Sequence, residues 1–124
     1  MTEEYTFPVT LIKNNRDKVG RFISTIDLKK NFKYIIYGEL GDSFEENVSL
    51  DKLSHSVYNF DINEETGTVT GTLKLYDTPQ GRIAKLIIEN GGRLDTNLVY
   101  TGYVDGDVVT GFKLLKINLD SMEK

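Results

Sequence analysis

One segment of the sequence carries the boundary signals of an α-helix, and no other feature restricts the fold as strongly. In the stretch DTPQGRIAKLIIENGG, Asp77 or Thr78 can cap the helix, and Pro79 suits its first turn because the N–H that proline lacks would be unpaired there. Gly91 suits the left-handed residue that follows a helix. The sequence therefore predicts one well-defined helix at about 79–90. Its apolar residues at helical spacing are expected to pack against a sheet: Ile83, Leu86 and Ile87.

Most of the remaining sequence has the short alternating or apolar patterns of β-strands. Two such segments, KLSHSVYNFDI and TVTGTLKLY, flank the polar turn NEETG and predict a β-hairpin. We also expect a tight turn at Asp105–Asp107, a helical turn near 27–32 capped by Asp27, and a frayed end at DSMEK. With about six or seven strands, the sequence predicts an α+β fold that is mainly β, with an antiparallel barrel-like sheet in one domain spanning residues 1–124.

Composition excludes several classes of function. The 124 residues include no cysteine and a single histidine, so disulfides and cysteine-based zinc sites are excluded, and we predict no metal and no cofactor. A net charge of −4 without a basic stripe argues against a nucleic-acid partner. Because the chain has neither a long apolar run nor the pattern of a secretion signal, we expect neither membrane insertion nor export.

His55 is the residue whose chemistry most suggests a catalytic role. Between Ser54 and Ser56 it could act as a base beside a hydroxyl group, but neighbours in a strand point to opposite faces of the sheet. We therefore expect neither serine to face the imidazole, and the sequence favours a hydrogen-bonded histidine in the core. The adjacent acids of EEN and NEET are interpreted as solvated turn residues rather than as a catalytic dyad.

Four segments in order give the chain a resemblance to a known family. They resemble segments of the prohead maturation proteases of tailed bacteriophages and together run from about Leu11 to about Leu119. The four segments are LIKNNRDKVGR, YGELGD, the block from NVSLDKLSH to ENGGRL, and DTNLVYTG. The long central block is the most specific match, because the family has there a V-S-H strand, a hairpin, a T-P-x-G turn and a helix that ends in G-x-R-L. The resemblance implies a fold similar to that of the herpesvirus assemblin serine proteases. It also implies that YGELGD and DTNLVYTG, with Asp42 and Asn97, lie close together in space, because these segments supply base and nucleophile to one site in that fold.

The residues that would carry catalysis in that family are replaced in this chain. The nucleophilic serine of the family lies in a doublet after G-x-R-L, where the resemblance places Asn97 and Leu98, and Val99 stands for the arginine that follows. The histidine of G-E-L-x-H-P, which would take the proton of the serine, matches Asp42, whereas His55 keeps the V-S-H position. Nucleophile, base and oxyanion donors act as a unit, so the resemblance implies a scaffold with no catalytic residues.

Three functional interpretations follow. The first is a non-catalytic virion structural or assembly protein, an auxiliary or decoration component of the capsid, made in the cytoplasm of the host bacterium. Its partners would be other virion proteins and copies of itself. The second is an active serine/threonine endopeptidase with a rearranged site, in which Thr96 or Thr101 acts with His55. The third is an unrelated small β-barrel binding module. The missing serine–histidine pair favours the first.

Overall fold

The computed structural model describes residues 5–41, 43, 45 and 47–121, which form seven strands and two α-helices. The helices are α1 (Thr25–Asn31) and α2 (Pro79–Glu89), and a short 3₁₀ helix, Leu50–Lys52, precedes the fourth strand. The strands are β1 (Tyr5–Ile12), β2 (Phe22–Ile23), β3 (Ile36–Glu39), β4 (Leu53–Asn63), β5 (Thr68–Leu75), β6 (Leu94–Asp105) and β7 (Val108–Ser121). The predicted α+β, mainly β class is confirmed, as are the helix at about 79–90 and the helical turn near 27–32.

In place of the predicted barrel-like sheet, the strands form two sheets, and neither closes into a barrel. One sheet is antiparallel with the order β1-β5-β4-β3, and the other has the order β2-β7-β6 with β2 parallel to β7. The sheets meet at one side, where Leu40 and Leu119 form a parallel bridge and the Gly41 N–H donates to the Leu119 carbonyl at 2.7 Å. At the other side, β1 and β6 are edge strands. A closing ladder would lack a donor in the middle of β1, because Pro8 has no N–H.

The hydrophobic core draws on both sheets and both helices. Phe32, which follows α1, packs edge-on against Phe60 of β4 and stacks on Phe112 of β7, so one aromatic cluster joins the two sheets. The core is therefore continuous across the space between the sheets. Its buried apolar side chains are Leu11, Ile12, Ile23, Leu28, Phe32, Val57, Val69, Leu73, Leu75, Ala84, Val109, Phe112, Ile117 and Leu119.

Helix α2 has the predicted ends but not the predicted buried face. Thr78 is the N-cap, accepting a hydrogen bond from the Gly81 N–H at 3.0 Å, and Gly91 adopts the expected positive φ of 87°. Gly81 and Ala84 are the buried residues of the helix, and a Cβ at Gly81 would lie 1.9 Å from the Tyr76 carbonyl oxygen. This close approach rotates the larger side chains away from the sheet. The prediction that Ile83 and Leu86 are buried is wrong, since they are 44% and 59% exposed, whereas Ile87 is partly buried.

Helix α1 begins before the predicted turn, and Ser24 rather than Asp27 is its N-cap. The Ser24 hydroxyl accepts a hydrogen bond from the Asp27 N–H at 3.2 Å, which places Asp27 within the first turn. A carboxylate in that turn is stabilised by the helix dipole. At the other end, the Asn31 side chain donates to the Phe112 carbonyl and accepts from the Leu114 N–H, so it ties α1 to β7.

The predicted β4–β5 hairpin is present. The side chains of β4, however, do not alternate regularly between the two faces of the sheet along the whole strand. Strict alternation would put Val57 and Phe60 on opposite faces, yet Val57 is in the core and Phe60 packs against it. Asn59 has a positive φ of 55°, and the pairing with β5 shifts between Tyr58 and Asp61. This bulge changes which face successive side chains occupy, which the sequence pattern did not reveal.

The turn at Asp105–Asp107 is confirmed, since it joins β6 to β7 and Gly106 has a φ of 66°. The segment DSMEK was expected to fray, but β7 continues to Ser121. The last three residues, 122–124, lie outside the described residues.

Candidate functional site

The segments YGELGD and DTNLVYTG lie on either side of strand β7, as the resemblance requires. Leu119 of β7 forms the bridge with Leu40 on one side and pairs with Thr96 of β6 on the other. The Glu39 N–H donates to the Asn118 side-chain oxygen at 3.0 Å. Since neighbouring strands are about 5 Å apart, the two segments approach within about 10 Å. The prediction named Asp42 and Asn97, but Asp42 lies outside the described residues. The positions of Glu39 and Leu40, close to it in sequence, support the predicted proximity.

The positions that match the nucleophile doublet differ in exposure. Asn97 is exposed, Leu98 is partly buried and Val99 is 7% exposed. Asn97 is directly paired with Asn118, so its side chain lies on the same face of the sheet as that of Asn118. An amide at the exposed position can donate and accept hydrogen bonds, but it is not a nucleophile.

His55 is enclosed by protein. Its side chain is fully buried, and Nε2 lies 2.6 Å from the carbonyl oxygen of Ile117. A carbonyl can only accept, so Nε2 carries the proton, and Nδ1 accepts from the Ser54 hydroxyl at 2.8 Å. Burial lowers the pKa of His55 from 6.5 to about 4, although the Ile117 carbonyl partly offsets this by favouring the charged ring. His55 is thus a neutral core histidine.

The contact between Ser54 and His55 corrects the expectation that neither neighbouring serine would face the imidazole. The pairing of β3 with β4 shifts between Gly38 and Glu39, because Gly38 pairs with His55 and Glu39 with Leu53. Ser54 is therefore the extra residue of a bulge, and a bulge turns successive side chains toward the same side. Both Ser54 and His55 are fully buried, so this hydroxyl–imidazole pair has no access to a substrate.

A buried ion pair lies beside the matched segments. Lys116 Nζ of β7 is 3.4 Å from Glu39 Oε1 of β3, and both side chains are fully enclosed. Glu39 Oε2 accepts from the Ser49 N–H at 2.8 Å, and Lys116 also donates to the Ser43 hydroxyl at 3.3 Å. The Asn118 amide donates to the Ser43 carbonyl at 2.8 Å. These bonds hold part of the connection between β3 and β4 over the face that carries Asn97.

The sequence pattern did not predict this buried cluster of Lys116, Glu39 and Asn118. Its signal was present in LLKINL, where Lys116 and Asn118 are polar residues at alternate positions among apolar ones. Alternation of that kind normally indicates a solvated face. A polar face covered by a loop gives the same pattern, so the sequence alone does not distinguish the two. The hydrogen bonds of Ser43 and Ser49 show that the connection between β3 and β4 covers this face.

A cleft separates the edge strands β1 and β6. Its volume is about 610 Å³, and its walls include Val9 and Leu11 from β1, Leu94 and Thr96 from β6, and Lys18 from the loop after β1. A neighbouring cavity of about 330 Å³ extends along β6 past Asn97 to Tyr100. Clefts of this size accommodate a small ligand or a few residues of peptide.

Lys18 crosses the cleft and binds the edge of β6. Its ammonium group pairs with the Asp95 carboxylate, donates to the Thr96 carbonyl and lies 3.4 Å from the Thr96 hydroxyl. An ammonium group that donates to a carboxylate and a carbonyl has no free lone pair, so Lys18 in this arrangement cannot act as a base toward Thr96. It also occupies a backbone acceptor that an added strand would need.

The loop after β1 is held in place by Asp17. One carboxylate oxygen of Asp17 accepts from the N–H groups of Val19 and Arg21, at 3.0 and 2.9 Å. The other accepts from the Tyr100 hydroxyl at 2.5 Å. Burial and this hydrogen bond raise the pKa of Tyr100, so the phenol keeps its proton at neutral pH and continues to donate to Asp17.

The two threonines considered as replacement nucleophiles occupy different environments. Thr96 is 3% exposed and its hydroxyl faces Lys18, whereas Thr101 is exposed and pairs with Lys113 on the β6–β7 hairpin. The two nitrogens of His55 are bonded to Ser54 and Ile117, so the structure brings neither threonine into a hydrogen bond with the imidazole. Over the described ranges, no group of three or more metal-ligating side chains is placed to hold an ion. No helix among the described residues has the length and apolar character needed to cross a membrane.

Comparison with known proteins gives a likeness that concerns the fold. No family model matches the chain, and no curated protein matches it. Among solved structures, the chain is similar to the bacteriophage T4 capsid assembly protease gp21, with a TM-score of 0.76 and 13% sequence identity. The alignment covers 95% of this chain and 82% of that chain. The chain therefore has the fold of a phage capsid assembly protease, as the resemblance of its motifs implied.

Proposed function

We propose that this chain is a non-catalytic structural or assembly protein of phage heads, built on the fold of a capsid assembly protease. Two observations support the setting: the fold is similar to that of the T4 enzyme over 95% of the chain, and the family motifs occur in order along the sequence. In this proposal the chain is an auxiliary or decoration component of the virion, and it acts by binding other head proteins.

The burial of His55 is the main observation in support of a non-catalytic role. Peptide hydrolysis by a hydroxyl nucleophile needs a base within hydrogen-bond reach and a path for the substrate to both groups. The single imidazole of the chain is fully buried with both nitrogens occupied, and Asn97 and Leu98 stand where the family carries its nucleophile. The arrangement therefore lacks an accessible nucleophile–base pair built on histidine.

Two lysine–hydroxyl contacts give the alternative, a rearranged endopeptidase, its best support. Lys18 lies 3.4 Å from the Thr96 hydroxyl, and Lys116 lies 3.3 Å from the Ser43 hydroxyl. Each lysine is paired with a carboxylate, Asp95 or Glu39, so its nitrogen is already engaged as a donor. These pairs are better explained as structural ties than as catalytic dyads.

A cleavage assay tests the proposal. The purified chain is incubated with the capsid and scaffold precursors of the phage and with a mixed peptide library, and new termini are identified by mass spectrometry. We expect no termini beyond those of a sample without the chain, and co-sedimentation of the chain with assembled proheads. Cleavage that is lost in Thr96→Val or Ser43→Ala, but kept in the control Thr110→Val, would establish the endopeptidase instead. Neither cleavage nor binding to any head component would favour the unrelated binding module.

A further inference from the structure

The β6–β7 hairpin ends in an arm whose residues, 101–108, are all exposed. Tyr103 and Asp105 are two positions apart on β6, and Asp105 pairs with Val108 of β7, so these three side chains share one face. We call Tyr103, Asp105 and Val108 the arm face. Tyr103 is 79% exposed and Val108 is 40% exposed. Large apolar side chains beside a carboxylate at the exposed end of a hairpin are typical of a contact surface rather than of a solvated turn.

A second exposed apolar surface lies on helix α2. Because Gly81 and Ala84 face the sheet, Ile83 and Leu86 form a ridge on the outside, and Arg82 lies one turn before Leu86. We call Arg82, Ile83 and Leu86 the helix face. Arg82 contacts Asp77 through Nε, at 2.6 Å, and the N–H donors of its two terminal nitrogens are not used in this contact. Those nitrogens can bind a second carboxylate.

The two faces complement each other in apolar character and charge. Each has two apolar side chains and one charged side chain, and the charges are opposite: Asp105 on the arm face and Arg82 on the helix face. A guanidinium can hold a carboxylate with two parallel hydrogen bonds, which also fixes the orientation of the apolar groups beside it. The complementarity therefore specifies a partner that carries the opposite face.

The faces lie at opposite ends of the molecule. Helix α2 ends just before Leu94, where β6 begins, and the arm lies at the far end of that strand, at Asp105. A strand of this length spans about 35 to 40 Å, so the arm cannot fold back onto the helix of its own chain. A second copy can present the missing face to each end.

We propose that copies of this chain associate head to tail, with the arm face of one copy docked on the helix face of the next. Such a contact uses two different surfaces, so it leaves a free arm face and a free helix face at the ends and continues into rings or open chains. A contact built on six side chains is small, so we expect a dissociation constant of about 10 μM to 1 mM. The proposal is independent of the proposed phage function.

Sedimentation velocity at concentrations up to about 1 mM provides the first test. The wild type is expected to shift progressively from monomer to larger species. Tyr103→Ser and Leu86→Ser should each weaken association at least tenfold. The matched controls are Tyr34→Ser and Ile26→Ser, because Tyr34 is 78% exposed and Ile26 66% exposed but neither belongs to the two faces. These controls should stay within twofold of the wild type.

Mixing the two weakened variants provides the decisive test. The Tyr103→Ser chain keeps an intact helix face and the Leu86→Ser chain keeps an intact arm face, so the mixture should form a one-to-one complex and nothing larger. Asp105→Arg and Arg82→Glu should each weaken association, and the double variant should recover it. A wild type that stays monomeric at 1 mM, variants that associate like the wild type, or a mixture that does not associate would each overturn the proposal.

Discussion

Nε2 of His55 and the carbonyl oxygen of Ile117 lie 2.6 Å apart, joining β4 to β7 across the space between the two sheets. This bond places the single imidazole of the chain inside the protein and gives it a structural role. It also makes stability depend on pH in a defined direction.

The first prediction concerns that dependence. Burial lowers the pKa of His55 to about 4 in the folded protein, against 6.5 when unfolded, so between these values the unfolded chain binds more protons. Stability from this group is complete above pH 6.5 and is lost as the pH falls toward 4, by up to about 3 kcal/mol. Urea unfolding at stepped pH measures the loss, with His55→Gln as the control that should flatten this part of the curve.

Proton NMR gives an independent readout without a variant, because the chain has one histidine. The ring signals of the folded protein should not titrate between pH 8 and 5.5. A midpoint near 6.5 in the folded state would mean that the imidazole is solvated, and the structural role would be rejected.

The second prediction concerns Gly38, which faces His55 across the β3–β4 pairing. A Cβ there would lie 1.7 Å from the Ile117 carbonyl oxygen and 2.5 Å from His55 Nε2. Gly38→Ala should therefore lower the free energy of unfolding by about 3 kcal/mol or prevent folding. Gly106→Ala is the matched control: nothing lies within 4 Å of its Cβ position, and only its positive φ opposes the change. The control should cost about 1 to 2 kcal/mol. Equal losses in thermal melts would contradict the close approach.

The third prediction separates the two faces of α2. Ala84→Asp places an unpaired charge in the core and should cost about 3 to 5 kcal/mol, whereas Leu86→Asp, at a position 59% exposed, should stay within about 0.5 kcal/mol of the wild type. Chemical denaturation of both variants measures the difference. If Leu86→Asp unfolds the protein, Leu86 faces the core and the buried side of α2 is not the one formed by Gly81 and Ala84.

The fourth prediction concerns the buried pair of Lys116 and Glu39. Lys116→Met leaves the Glu39 carboxylate enclosed without its cation and should cost about 3 to 5 kcal/mol. The double variant Lys116→Met with Glu39→Gln removes both charges and keeps an acceptor for the Ser49 N–H, so it should be more stable than the single variant. A double-mutant cycle that gives additive losses would show that the two groups do not interact.

The sequence predicted the class of fold and the ends of α2 because capping residues act locally, as Thr78 and Gly91 do. It did not predict which side of α2 is buried, since the close approach of Gly81 to the Tyr76 carbonyl is a tertiary contact. The alternation in β4 failed for a related reason. A bulge depends on how a neighbouring strand pairs with β4, and the residues at the two bulges, Ser54 opposite β3 and Asn59 opposite β5, carry no unique signal in the sequence.

The candidate site was predicted in part. The resemblance brought the segments of Glu39 and Asn97 to the same region, and β7 between them supports that placement. The contact of Ser54 with His55 and the enclosure of Lys116 were missed, because each requires a bulge or a covering loop that alternation alone does not indicate.

Quantitative mass spectrometry of purified proheads and mature particles, from cells that produce the phage encoding this chain, tests the central proposal most directly. We expect the intact chain to be present in many copies per particle in at least one of the two stages, alongside the major capsid protein. Absence from both stages would contradict a structural or assembly role in the head.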